Sequence, residues 1–261
     1  MDQTGLPGSR WPVLLAPLAA AVAAAAVAGS PPAFGATHTR AMTSRANQVR
    51  QVIAYVTAAG KHTGTVTPIR AATNTALPPV KVGLGPEAIA VTPDGKTVYV
   101  GNTASDTVTP IRTATGTALR PVKVGRFPLA VAVTPDGKTA YVTNANGGTV
   151  TPIRTATNTA LRPIKTGSGP TTLAVTPDGK TAYVVNTGSS TVTPIRTATN
   201  TALRPVKTGH KPLAITVTPN GTTVYVVNEL SSTVTPISTA TSTALRPIKV
   251  GSFPLAIAIT P

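Results

Sequence analysis

The 261-residue chain contains no cysteine, so disulfide frameworks, thiolate nucleophiles and cysteine-ligated zinc or iron–sulfur centres are excluded at the outset. The missing thiol names no compartment, because a secreted protein closed by well-paired sheets needs no disulfide. Aromatic residues are 3% of the chain. That is too few for a base-stacking platform, and sequence-specific nucleic-acid recognition is not expected. Histidines number three, His38, His62 and His210, far apart in sequence. Neither a metal site nor a cofactor is expected from so few ligands, and no haem or quinone attachment motif is present. Acidic residues are also scarce, seven against 23 Lys and Arg, which leaves a net charge of +16. Such a surplus attracts anionic polymers, among them nucleic acid, cell-wall phosphates, acidic polysaccharide and anionic lipid headgroups, without choosing between them.

The N-terminus addresses location. Arg10 precedes an apolar run over 13–28 that is short and alanine-rich for a membrane span. It reads as a secretory leader, with Ala26 and Ala28 fitting a small-x-small cleavage rule, whereas cleavage after Ala36 would put Phe34 at the third position back. A retained anchor is the alternative. Residues 1–36 are assigned to leader and spacer, 37–51 to a linker and 52–261 to one folded domain; removing residues 1–36 leaves the net charge unchanged because Asp2 and Arg10 cancel. The expected location is extracytoplasmic, at or near the cell surface.

The chain repeats. Tyr55, Tyr99, Tyr141, Tyr183 and Tyr225 lie 44, 42, 42 and 42 residues apart, a period that means one supersecondary unit stacked several times. Within a unit, "LAVAVT" from Leu129 alternates larger residues with alanine, as an inner strand in a tapering centre does. "PDGK" follows as a turn, then "TAYVTN" and "TVTPI" as β-branched middle strands, and "RTATNTALR" leads into an outer strand, "PIKTG". Pro163 and Lys165 on that outer strand discourage edge pairing. Pro68, Pro110, Pro152, Pro194 and Pro236 fall inside a middle strand, where a lost ladder donor predicts a bulge or a shortened pairing.

"YVTN" at Tyr141–Asn144, "TPDGK" at Thr134–Lys138 and the 42-residue period together resemble the YVTN β-propeller repeat family. That resemblance implies an all-β propeller of four-stranded blades in a secreted or surface-exposed protein. Family members often have seven blades; counting units here gives five. The first unit lacks an inner strand and the last, "LAIAITP" from Leu255, is only an inner strand. The C-terminal strand is therefore expected to close the N-terminal blade, an open arc completed by another copy, or a fragment of a larger ring, being the alternatives.

In a propeller the turns segregate by face. The "PDGK" and "TATNTA" turns are nearly uniform and collect Lys96, Lys138 and Lys180 with Arg112, Arg154 and Arg196; Arg120, Arg162, Arg204 and Arg246 open the outer strands. The candidate anion-docking set is Arg112, Arg120, Arg154, Arg162, Arg196 and Arg204, the alternative being a solvated rim. The opposite face varies between units, and its candidate ligand-binding residues are Glu87, Arg126, Phe127, His210, Lys211, Glu229 and Phe253. His210 with Glu229 is the only acid–base pair on offer, so a lyase or lactonase-like activity rests on fold analogy alone. A binding scaffold for an anionic envelope polymer or partner protein is the expected function, and a purely structural wall or surface-layer component is the runner-up.

Overall fold

The computed structural model describes residues 52–260. The leader, spacer and linker assignments, with His38, lie outside the described residues. The described chain folds into five antiparallel sheets, one per repeat, as the period predicts. Blade 3 is representative: an inner strand Pro128–Val133, a second strand Thr139–Asn144, a third strand Thr149–Arg154, and an outer strand split into Thr159–Ala160 and Ile164–Lys165. Blades 2, 4 and 5 repeat this order from Pro86, Pro170 and Pro212; blade 1 runs Ile53–Ala58, Gly64–Arg70, Thr75–Ala76 and Val80–Val82 without an inner strand.

The prolines explain the split. Second and third strands pair without interruption through Tyr141↔Pro152, so the proline causes no bulge on that side. On its other side the third strand pairs only at its ends, Ile153 and Arg154 with one outer piece, Thr149 and Val150 with the other. The imide nitrogen has no proton to donate to a central ladder position, and the outer strand breaks opposite it. The expected shortened pairing is therefore present, whereas the bulge sits elsewhere, in the inner strand between Pro128 and Ala130.

The uniform turn is held by its own side chains. Thr134 Oγ1 donates to Asp136 Oδ1 at 2.6 Å, the Lys138 N–H donates to the same oxygen at 3.0 Å, and Gly137 takes φ 70° to complete the reversal.

The hydrophobic core lies between blades. Tyr141, Val150 and Ile164 of blade 3 pack against Leu173, Ala182, Val184 and Ile195 of blade 4. The same cluster forms between blades 1 and 2, 2 and 3, and 4 and 5. Tyrosine hydroxyls add polar staples across three of these joints: Tyr99 donates to Asn158 Oδ1 at 2.6 Å, Tyr141 to Asn200 Oδ1 at 2.7 Å, and Tyr183 lies 3.3 Å from Ser242 Oγ. Burial pushes the Tyr99 and Tyr141 hydroxyls up to about 12, aided by the carboxylates of Asp94 and Asp136.

Ring closure differs from the sequence expectation. Residues 254–260 form no ladder, and among the described residues Ile53–Ala58 pairs only with Gly64–Arg70. No ladder among the described residues joins blade 5 to blade 1, and Val56 and Ile248 on those blades are about half exposed. The described blades form an open arc.

Candidate functional site

The two uniform turns of blades 2 to 5 do share a face, because they are hydrogen-bonded to each other. The Thr155 hydroxyl donates to the Gly137 carbonyl at 2.6 Å and the Thr155 N–H to the Lys138 carbonyl at 3.1 Å; Thr113, Thr197 and Thr239 repeat the first bond on Gly95, Gly179 and Gly221. Arg112, Arg154 and Arg196 end the third strands beside these turns and are exposed.

Two grooves open there. One, of about 270 Å³, is lined by Lys138, Thr139, Arg154, Thr155, Ala156 and Leu161. The other, of about 420 Å³, lies on blade 4, where Lys180 and Arg196 face Thr239 and Ser242 of blade 5. Each lysine also approaches its turn aspartate, at 3.6 to 3.7 Å, with both side chains mostly in solvent. Such exposed pairs are weak, so the ammonium is available to a competing anion. The aspartate is committed to the turn: hydrogen bonds from Thr134 and then from the Lys138 N–H hold the Asp136 carboxyl below its ordinary range, and Asp94 and Asp178 behave alike. Each groove keeps a net positive charge from one Lys, one Arg and one Asp. Blade 5 has Thr222 and Ser238 at the paired positions, so both cations are lost together.

Arg120, Arg162 and Arg204 do not join these grooves. They sit in the gap between the two outer-strand pieces, exposed on the rim. The docking set therefore divides into a turn-face row, Arg112, Arg154 and Arg196, of which Arg154 and Arg196 line the grooves, and a rim row.

On the opposite face, the links between blades bond to the loops after the second strands. The Leu84 N–H donates to Ser105 Oγ at 2.8 Å, Phe127 N–H to Asp106 Oδ1 at 2.8 Å and His210 N–H to Ser231 Oγ at 2.7 Å. This brings His210, Lys211 and Glu229 into one cluster, in which Lys211 Nζ lies 2.9 and 3.0 Å from the two Glu229 oxygens. Glu229 thus neutralises the lysine that sequence reasoning assigned to an anion, and among the described residues it makes no hydrogen bond to the His210 imidazole. Glu87 accepts a long bond from Thr103 at 3.4 Å, and Arg126 is exposed.

Sequence reasoning missed the backbone here. Phe127, Lys211 and Phe253 have φ of 59°, 51° and 52° at the position where blades 2 and 4 begin with Gly85 and Gly169. Aligning the five links would have shown it, since glycine occupies that region freely whereas bulky side chains such as Phe rarely do. Phe127 and Phe253 are 36% and 63% exposed. Among the described residues no three His, Asp or Glu side chains gather as metal ligands.

No family model matches the chain, and no curated protein sequence matches it. Solved structures do. A hydrazine synthase chain from Kuenenia stuttgartiensis is 29% identical with a TM-score of 0.62, over 70% of this chain and 59% of that one, so the chain spans under two thirds of its length. A functionally unknown protein from Desulfotomaculum acetoxidans is 18% identical, TM-score 0.62, over 79% and 72%. A putative 6-phosphogluconolactonase from Bacteroides fragilis is 22% identical, TM-score 0.60, over 74% and 66%. What these likenesses share with the blades described above is architecture: the chain is a β-propeller-like protein of repeated antiparallel sheets.

Proposed function

We propose that the protein is a secreted or cell-envelope propeller of the YVTN-repeat kind whose turn-bearing face docks anionic polymers. The observation that carries this reading is the repeated groove in which a Lys and an Arg from adjacent strand ends converge, Lys138 with Arg154 and Lys180 with Arg196. One such groove supplies a weak, screened contact; a row of them spaced one blade apart suits a polymer with many charges. The varied face is the weaker candidate for an anion, because Lys211 already has its counter-ion in Glu229.

The test is retention on immobilised polyphosphate against a salt gradient, comparing the native chain with the Arg112→Ser, Arg154→Ser, Arg196→Ser triple variant. Serine already stands at this position in blade 5, at Ser238, so folding is expected to persist. Each lost phosphate contact lowers the slope of log affinity against log salt by roughly 0.7–0.9, so the triple variant should lose roughly 2–3 units of slope. An unchanged slope in a folded variant refutes the groove reading and returns these arginines to a solvated rim.

A further inference from the structure

We propose that the groove running from blade 4 into its joint with blade 5 is a selective site for the phosphate ester of a short polyol, whether free or as a unit of a polymer. The inference rests on the docking reading above and names the unit that one groove reads. Lys180 and Arg196 supply the cations, as their equivalents do on the other blades. The wall opposite sets this groove apart, because Thr239, Ala240 and Ser242 of blade 5 line it as well.

Ser242 makes the opening. At the two preceding joints the same turn position is Asn158 or Asn200, whose Oδ1 accepts from Tyr99 or Tyr141 at 2.6 and 2.7 Å. Serine is the shorter side chain, and its hydroxyl lies 3.3 Å from that of Tyr183. Where Asn200 fills the joint, the groove of blade 3 is lined by blade 3 alone and holds about 270 Å³; where serine stands, the groove reaches the next blade and holds about 420 Å³. Ligand-sized clefts begin at roughly 300 Å³, so the first takes a bare anion and the second an anion with a body attached. Serine also gives up the side chain better suited to its φ of 51°. A repeat that breaks its own rule at one joint, weakening a staple and widening a groove, shows the pattern expected of a binding site.

Among the described residues, room and charge coincide at this joint alone. Gly116 leaves space between blades 1 and 2, where an added side-chain carbon meets nothing within 4 Å, but Val52 stands there in the lysine position. Blade 5 has Thr222 and Ser238 in place of both cations. The joints of blade 2 with 3 and of blade 3 with 4 keep Lys and Arg but are filled by Asn158 and Asn200. In the blade 4 groove, the Arg196 fork and the Lys180 point charge together suit phosphate, whose free oxygens exceed what one guanidinium satisfies. Asp178 approaches Lys180 only at 3.6 Å and mostly in solvent, and is itself bonded to Thr176 and the Lys180 N–H. The polyol falls to Ser242, because Thr239 Oγ1 is already bonded to the Gly221 and Thr222 carbonyls, whereas a serine hydroxyl facing one tyrosine keeps capacity for a further bond.

The test is calorimetric titration of the whole chain with glycerol phosphate at low salt, with inorganic phosphate and glycerol as controls. One saturable site for glycerol phosphate is expected, with inorganic phosphate weaker by about fivefold or more, since it lacks the bond to Ser242. Ser242→Asn refills the joint, so it should raise Tm and abolish this site while leaving the salt slope of polyphosphate retention unchanged. Ser242→Ala keeps the room but removes the hydroxyl, and should weaken glycerol phosphate about fivefold, as loss of one hydrogen bond implies. Asn200→Ser should open the equivalent groove on blade 3 and add a second site. Competition by poly(glycerol phosphate) at matched phosphate concentration separates the two sources on the same groove: displacement assigns the unit to a polymer, and its absence assigns it to the free ester. No binding of glycerol phosphate, equal binding of inorganic phosphate, or a site untouched by Ser242→Asn overturns the proposal, and each does so while leaving the docking reading to its own salt-slope test.

Discussion

Replacing Gly116 by Asn should stabilise the protein, because blade 2 lacks a staple that its neighbours have. Gly116 occupies the turn position of Asn158 and Asn200, with φ 62° against their 51° and 52°. Tyr55, half-buried in blade 1, is the tyrosine that would meet an asparagine there, and burial raises its hydroxyl above the ordinary tyrosine value. A side chain built on Gly116 meets nothing within 4 Å, so there is room for it. One new hydrogen bond contributes about 1 kcal/mol. Removing a glycine from the unfolded ensemble adds ~0.4–1 kcal/mol where the backbone already suits the replacement, as it suits asparagine here. The sum, about 1–2 kcal/mol, corresponds to a rise in Tm of roughly 3–6 °C for a domain of this size. Calorimetry of Gly116→Asn, alone and in a Tyr55→Phe background, measures it. The same gain in both backgrounds would refute the staple and leave only the glycine effect, and a net destabilisation would refute both parts of the reasoning.

Two other perturbations follow from the repeat. Gly125→Ala would bring a methyl group within 2.6 Å of Asn144 Cγ, a buried side chain held by Thr149 and Thr151, so about 1–3 kcal/mol of stability should be lost in chemical denaturation; an unchanged midpoint would show that the asparagine yields. The turn aspartates set an acid limb. Because folding lowers the pKa of Asp94, Asp136 and Asp178 from 3.8, their contribution is present above that pH and is lost as pH falls through the lowered values. The carboxylates are about half exposed, which limits the effect to a few tenths of a kcal/mol per turn. Changing all three to Asn, which already fills this role at Asn220 with bonds from Thr218 and the Thr222 N–H, should flatten stability between pH 4 and pH 2, and an unaltered acid limb would argue against it.

The parts legible in sequence were those fixed by local chemistry. The Thr-Pro-Asp-Gly-Lys turn, the β-branched middle strands and the shared face of the two turns follow from residues a few positions apart, and repetition made each visible several times. The proline expectation was met in one half: the missing donor shortens the outer pairing, while the bulge falls at Pro128 and Ala130, where no sequence signal marked it. Ring closure was not legible. Matching ends such as "PLAIAI" and the strand from Ile53 show that two surfaces are complementary, but the angle between successive blades is set by side-chain packing, which periodicity does not encode. In the candidate site, the Lys138 and Arg154 row was read correctly as one face. The division between groove and rim arginines was not, because it depends on where the outer strand breaks. Lys211 and Glu229 were both named, 18 residues apart, yet only folding shows that they neutralise each other.

Placing the apolar core between sheets instead of inside them has a consequence for how such a chain changes length. A single blade has almost nothing to bury against itself, so it is not a unit of stability; the joint is. Duplicating any 42-residue segment inserts a blade whose two surfaces already fit both neighbours, and deleting one removes a joint while the flanking surfaces still match. Tandem copying and loss are therefore tolerated by the packing without compensating substitutions, and turns as alike as Thr155–Ala160 and Thr197–Ala202 are what a lineage that grows by copying would carry.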